Sequence, residues 1–168
     1  MPAIIAHMFD AGNRVTDRHP ARFSGMNDVT ATFPLELLDG TDTLTGTFRY
    51  RPSDPWAVTA TFTSASAGTV TWTFARDLLV HGRYEPVGDG DVHVWPCLSH
   101  DAAAIVVIEL DPGEHGVLLE APARQLHGFV EATLARVPLG READQLDVDA
   151  ELARLLTESR AAQSAREE

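Results

Sequence analysis

Threonine alternates with apolar residues through segment after segment of the first half of the chain, a pattern that no helix can carry. Val70, Trp72 and Phe74 oppose Thr69, Thr71 and Thr73, and Val58, Ala60 and Phe62 oppose Thr59, Thr61 and Thr63. Successive side chains of a strand point to opposite faces. Each segment therefore has one apolar and one hydroxylated face, as in a half-buried antiparallel strand. Two earlier segments read alike. Val29, Ala31, Phe33, Leu35 and Leu37 alternate with Thr30, Thr32, Pro34 and Glu36, and Leu44, Gly46, Phe48 and Tyr50 oppose Thr43, Thr45, Thr47 and Arg49. Asp39-Gly40 joins this pair as a hairpin, Arg51 to Pro55 is a turn with two prolines, and Ser64 to Gly68 is a small polar turn. Pro34 has no N–H, so its strand should lack a neighbour on that side or bulge there. The threonine faces together form a wide surface of low charge, suited to water or to partial cover in an oligomer.

The alternation breaks at Ala75. Arg76 to His81 reads as about two helical turns, with Gly82 placed to end them in the left-handed conformation. The Gly88-Asp89-Gly90-Asp91 turn follows, and strands are expected at Asp91 to Cys97, Ala104 to Leu110 and Gly116 to Glu120. Ile105-Val106-Val107-Ile108 is a continuous apolar run, which predicts a strand buried on both faces. From Ala123 to Val137 the residues Leu126, Phe129, Val130, Thr133, Leu134 and Val137 form one apolar stripe at helical spacing, with Pro122 as a start signal and Pro138-Leu139-Gly140 as a stop. Ala75-Arg76-Asp77-Leu78 and Ala123-Arg124-Gln125-Leu126 each follow a strand, a four-residue hint of a duplicated unit. A last helix should start near Asp147 or Asp149, with Leu152, Leu155 and Leu156 as its narrow apolar stripe. Residues 1–26 lack a sustained period and read as a tail or loosely docked arm. Residues 27–160 read as a single domain, and 161–168 as a fraying tail.

The charge balance limits the partners. The net charge is −12, and every basic side chain is arginine, with no lysine anywhere. Such a chain is repelled by phosphate at long range, which argues against non-specific binding to nucleic acid or anionic membrane. The one cysteine, Cys97, cannot form an internal disulfide, no apolar run approaches a membrane span, and no charged region precedes the short apolar run at the start. A cytoplasmic location is the expectation.

No catalytic or metal constellation emerges. Ser99-His100-Asp101 holds the residue types of a hydrolytic triad, but sequence neighbours do not converge as triad members from separate elements do, so the segment reads as a polar loop. The seven histidines include no zinc-helix spacing, and Gly88 to Asp91 is too short for a calcium loop. His81 suits a helix C-terminus. No cofactor is expected. The tryptophans differ: Trp72 lies on an apolar strand face and belongs to the core, Trp56 follows Pro55 in a turn, and Trp95 shares a strand face with His93. Exposed aromatics favour partner contacts, so Trp56, His93 and Trp95 are the candidate partner-binding residues.

Several of these blocks also resemble a known family. Tyr50 with Asp54-Pro55, Ala57-Val58, Phe74 to Leu79, Gly90 to Pro96, Leu118 to Arg124 and the Leu146 to Leu156 segment are similar, in order and spacing, to the SsgA-like proteins. These are small sporulation and cell-division regulators of filamentous actinomycetes, and the pattern is closest to the SsgB branch. The resemblance covers roughly Asn27 to Ser159. Arg51, Trp56 and the extra N-terminal arm depart from the family pattern. The resemblance implies an α+β fold with antiparallel sheets, similar to the Whirly single-stranded nucleic-acid-binding architecture, built of two related halves and trimeric. It implies a non-enzymatic protein that helps position or recruit FtsZ at septum sites, with FtsZ or another SsgA-like protein as partner. The alternative is a single-stranded nucleic-acid-binding module, for which Arg49, Arg51, Arg76 and Arg83 would have to cluster.

Overall fold

The computed structural model describes residues 28–38, 42–65, 68–111 and 116–145. The Asp39-Gly40 turn, the N-terminal arm, the C-terminal tail and the helix expected from Asp147 or Asp149 lie outside the described residues. Seven strands are present: β1 (Val29–Leu37), β2 (Thr43–Arg51), β3 (Asp54–Ser64), β4 (Gly68–Ala75), β5 (Val92–Leu98), β6 (Ala104–Leu110) and β7 (Val117–Pro122). Helix α1 (Arg76–Gly82) follows β4. Helix α2 (Ala123–Arg136) follows β7, and a 3-10 turn (Glu142–Gln145) comes after it. The class is α+β.

All strand pairs are antiparallel, and the order is β4-β3-β2-β1-β7-β6-β5. The expected sheets are therefore one seven-stranded sheet made of two meanders, each followed by a helix. The short β1–β7 pairing joins them, matching only Glu36 with Glu120 and Leu37 with Leu119. Pro34 falls just beyond that pairing, so its missing N–H removes no ladder bond.

The period-two pattern sorts the two faces. Thr32 meets Thr47 across β1 and β2 with Oγ1 atoms 3.0 Å apart, and Thr61–Thr71 and Thr63–Thr69 repeat the contact at 3.1 Å across β3 and β4. The opposite face is the core. Phe48 stacks on Phe33 with ring centroids 5.1 Å apart and meets Phe62 and Phe129 at 6.0 and 5.8 Å. One ring thus ties β1, β2, β3 and α2 together. Leu126, Phe129, Val130 and Thr133 form the buried stripe of α2, and Ile105 to Ile108 are all buried, as the apolar run predicts. Trp72 is half-buried against this core.

Two local expectations need correction. The turn with two prolines is shorter than five residues: Arg51 pairs with Asp54, and β3 already includes Asp54 and Pro55. A register shift between Tyr50 and Arg51 lets the strand accept a proline at its start. Gly82, for its part, is not a left-handed cap. It is the last residue of α1, and the helix ends at Arg83 in a right-handed conformation. Glycine is required there by close approach, since a Cβ would lie 2.5 Å from Val94 Cβ. Helix α1 contacts β3, β4 and β5, so it bridges the two ends of the strand order, and the sheet curls around the helices.

Gly82→Ala should therefore destabilise the fold by about 1–3 kcal/mol, the range for overpacking a close contact, although alanine is the better helix former. Urea denaturation checks this; a stability equal to or above that of the parent chain contradicts the close-approach account.

Candidate functional site

The buried centre of the molecule is polar. Arg76, the first residue of α1, is 1% exposed. Its Nη1 donates to the Val137 carbonyl at 2.7 Å and to the Tyr50 hydroxyl at 3.1 Å, its Nη2 pairs with Glu142, and the guanidinium lies 5.0 Å from the Tyr50 ring centroid. A cation enters the interior only where a counter-charge and acceptors meet it. Burial pushes the Tyr50 phenol above its ordinary value of 10.0; Arg76 opposes this, and Glu142 and Asp54 add to it. Because the folded value is raised, this contribution to stability is fully present below pH 10 and is lost as pH rises through the raised value.

Nearer the surface, Arg83 joins the two helices. Its Nη1 donates to Glu131 at 2.6 Å, its Nε donates to the Val80 carbonyl at 3.1 Å, and its guanidinium lies 4.7 Å from the Tyr84 ring centroid. The hydrogen bond from Arg83 holds the Glu131 carboxyl below the usual range. Arg49 pairs with Asp28 at 2.5 Å. Arg49, Arg76 and Arg83 therefore each hold a carboxylate, and they do not pool into a phosphate-binding patch.

The candidate partner-binding residues lie on β3 and β5. Trp56 is 46% exposed near the start of β3. His93 and Trp95 are half-buried on one face of β5, where they oppose Glu109 and Val107 of β6. His93 Nδ1 lies 3.4 Å from Glu109 Oε2 without hydrogen-bond geometry. In the strand order β2, β1, β7 and β6 lie between the strand of Trp56 and that of this pair. The Ser99 loop is a turn: Ser99 Oγ accepts the Ala103 N–H at 3.1 Å, and His100 pairs with Asp101 in solvent at 2.9 Å. Among the described residues no group of His, Cys, Asp and Glu could hold a metal ion, and no helix is long and apolar enough to cross a membrane.

The structure also shows a feature that the residue-type search passes over. A groove of about 410 Å³ runs between β1 from Val29 to Phe33 and the α2 face carrying Gln125, Gly128 and Ala132. Gly128 sits inside α2 with open space where a Cβ would be. A glycine inside a helix costs about 0.5–1 kcal/mol relative to alanine, and among the described residues no close contact with α2 requires one here. The sequence signal for it is that lone glycine within a helical stripe.

Residues 44–142 match the family model described as Streptomyces sporulation and cell division protein, SsgA. The chain belongs to the SsgA family. The sporulation-specific cell division protein SsgB of Streptomyces coelicolor is 50% identical over 111 residues, which span 66% of this chain and 80% of that relative. The SsgB of Frankia casuarinae is 42% identical over 133 residues, 77% of this chain and 92% of that relative. Among solved structures, an SsgA-like sporulation-specific cell division protein from Thermobifida fusca is similar with a TM-score of 0.69 at 32% identity, covering 80% of this chain and 98% of that one. A second, associated with SsgB mutations that correlate to longitudinal cell division during sporulation of Streptomyces coelicolor, matches with a TM-score of 0.66 at 42% identity, covering 74% of this chain and all of that one. Two of the SsgA-like blocks meet at the buried centre. Tyr50, Asp54 and the Phe74 to Leu79 block surround Arg76 and its partners.

Arg76→Met should cost about 3–5 kcal/mol, because it strands Glu142 in the interior. Adding Glu142→Leu should recover part of that loss, so the two substitutions are coupled rather than additive. Chemical denaturation of the two single variants and the double variant checks both; additive losses contradict the pairing.

Proposed function

We propose that this chain is a non-enzymatic regulator of septation that acts by binding. It helps to position or recruit the tubulin-like GTPase FtsZ at septum sites during sporulation, directly or through another SsgA-like protein. The observation that carries this reading is the match of residues 44–142, which include nearly all of β2, β3 to β7 and both helices, to a family of sporulation and cell-division proteins. In this reading the protein works in the cytoplasm at the septum as a homotrimer of Whirly-like architecture. The exposed threonine face and the His93/Trp95 face of β5 offer surface of low charge for subunit or partner contacts. Trp56, His93 and Trp95 are the contact residues.

Charge shapes the binding. With a net charge of −12 and three of its central arginines already paired, the chain has little attraction to offer an acidic partner. Affinity then rests on short-range apolar and hydrogen-bonded contacts, which added salt screens little. The same pairing disfavours the nucleic-acid reading that a Whirly-like architecture invites, since phosphate contacts need free cations.

Sedimentation with polymerising FtsZ tests recruitment. The protein should enter the pellet, alone or with an SsgA-like partner, and Trp56→Ala and Trp95→Ala should weaken the association with little effect on folding. Absence from the pellet in both settings contradicts recruitment. Light scattering should give a trimer mass, and a monomer contradicts that part of the proposal. Single-stranded DNA should bind no tighter than the range for non-specific complexes, a Kd of about 10⁻⁴–10⁻⁶ M near physiological salt. A submicromolar affinity weakened by Trp95→Ala favours the nucleic-acid reading instead.

A further inference from the structure

We infer that the groove between β1 and α2 is a strand-addition site, which accepts an extended, uncharged segment of a partner protein along Val29 to Phe33. The proposal rests on the partner-binding reading above and says where and how one partner would be held.

The backbone sets the shape of the occupant. On one side of β1 the Leu37 N–H bonds the Asp42 carbonyl, and on the other the Leu38 N–H bonds the carbonyl of Leu118 in β7. Amides alternate in direction along a strand. Counting back from Leu38, the N–H and C=O groups of Thr30 and Thr32 face the β7 side. Pairing with β7 ends at Glu36, so no described strand meets Thr30 or Thr32 there. Their polar groups repeat about 7 Å apart, a spacing that another extended backbone reproduces along its whole length. Adding a strand to an open sheet edge is an established mode of peptide recognition, with backbone bonds giving affinity and alternate side chains giving selectivity.

The walls set its chemistry. Among the described residues no charged side chain lines the groove, in a molecule of net charge −12. An uncharged segment therefore enters without meeting an unpaired charge. Val29, Ala31 and Phe33 lie on the core-facing side of β1, where α2 packs on the sheet, and Gly128 and Ala132 leave room on the helix. The open space at Gly128 is the decisive feature. Among the described residues nothing packs against that position, and a strand laid against α2 would use the space. Pro34 adds a second mark. It ends the run of edge donors just before β7 takes over, so the vacant edge is confined to the stretch beside Gly128.

The test uses the full chain and a phage-displayed library of uncharged and mixed peptides of about twelve residues, long enough to extend past the five-residue edge. Panning should enrich uncharged, β-branched sequences. Their synthetic forms should shift the amide resonances of Thr30 and Thr32 in a 15N-labelled sample. Gly128→Leu fills the groove from a position with no neighbour, so it should keep or raise the melting temperature while weakening the peptides about thirtyfold or more. Thr32→Pro removes one edge donor that no described strand meets, and it should weaken the same peptides. No enrichment, or equal binding to Gly128→Leu, overturns the site. A change of oligomer mass in Gly128→Leu also overturns it, because the occupant is then a second copy. Co-sedimentation with FtsZ is scored separately: its failure with wild-type protein counts against recruitment, while the peptide result alone decides the groove.

Discussion

Arg76 brings a full charge into the interior, and the rest of the structure is arranged to receive it. Its partners come from three elements that would otherwise meet only through apolar contact: Tyr50 at the end of β2, the Val137 carbonyl where α2 stops, and Glu142 in the 3-10 turn. Apolar packing fixes how much surface is buried, but it tolerates sliding. A guanidinium with directed donors does not, because an orphaned charge at this depth costs several kcal/mol. The cluster thus sets the register between the first meander, helix α1 and the C-terminal elements. Phe48 performs the matching apolar task for β1, β2, β3 and α2.

Once the centre is fixed, the outer surfaces are left without an internal task. Packing α1 on β5 through Gly82 closes the curl of the sheet and turns the threonine face outward, where its hydroxyls bond to each other across the strands. The short β1–β7 pairing joins the meanders but leaves the first half of β1 without a neighbour on that side among the described residues. The sheet thus presents one wide face of low charge and, among the described residues, one unpaired stretch of β1. Arg49, Arg76 and Arg83 are engaged with Asp28, Glu142 and Glu131.

Much of this was legible in the sequence because it depends on local period. The threonine alternation placed β1 to β4, the Ile105 to Ile108 run marked the buried β6, and the apolar stripe from Leu126 to Val137 gave α2. What was misread depends on distant contacts. Gly82 follows a helical pattern as a cap does, and only the position of Val94 shows that it serves close approach. The partners of Arg76 lie 26, 61 and 66 residues away, so no local pattern reveals them. Of the site residues, Trp56 and Trp95 were both read as partly exposed; Trp56 is 46% exposed and lies within β3 rather than in a turn, and Trp95 is half-buried on β5. The groove escaped notice because a vacant edge is a property of which strand stops pairing, although Pro34 and Gly128 were there to be read.

The central claim is that a rigid polar centre holds binding surfaces open on the outside. Hydrogen exchange of the protein bound to FtsZ polymers, followed residue by residue, tests it most directly. The account predicts new protection along Thr30 to Phe33 and beside Trp56 or Trp95, with the amides around Arg76, Tyr50 and Val137 as slow in the free protein as in the bound one. Protection that appears only around Arg76, with Thr30 to Phe33 and both tryptophan surfaces unchanged, would contradict it.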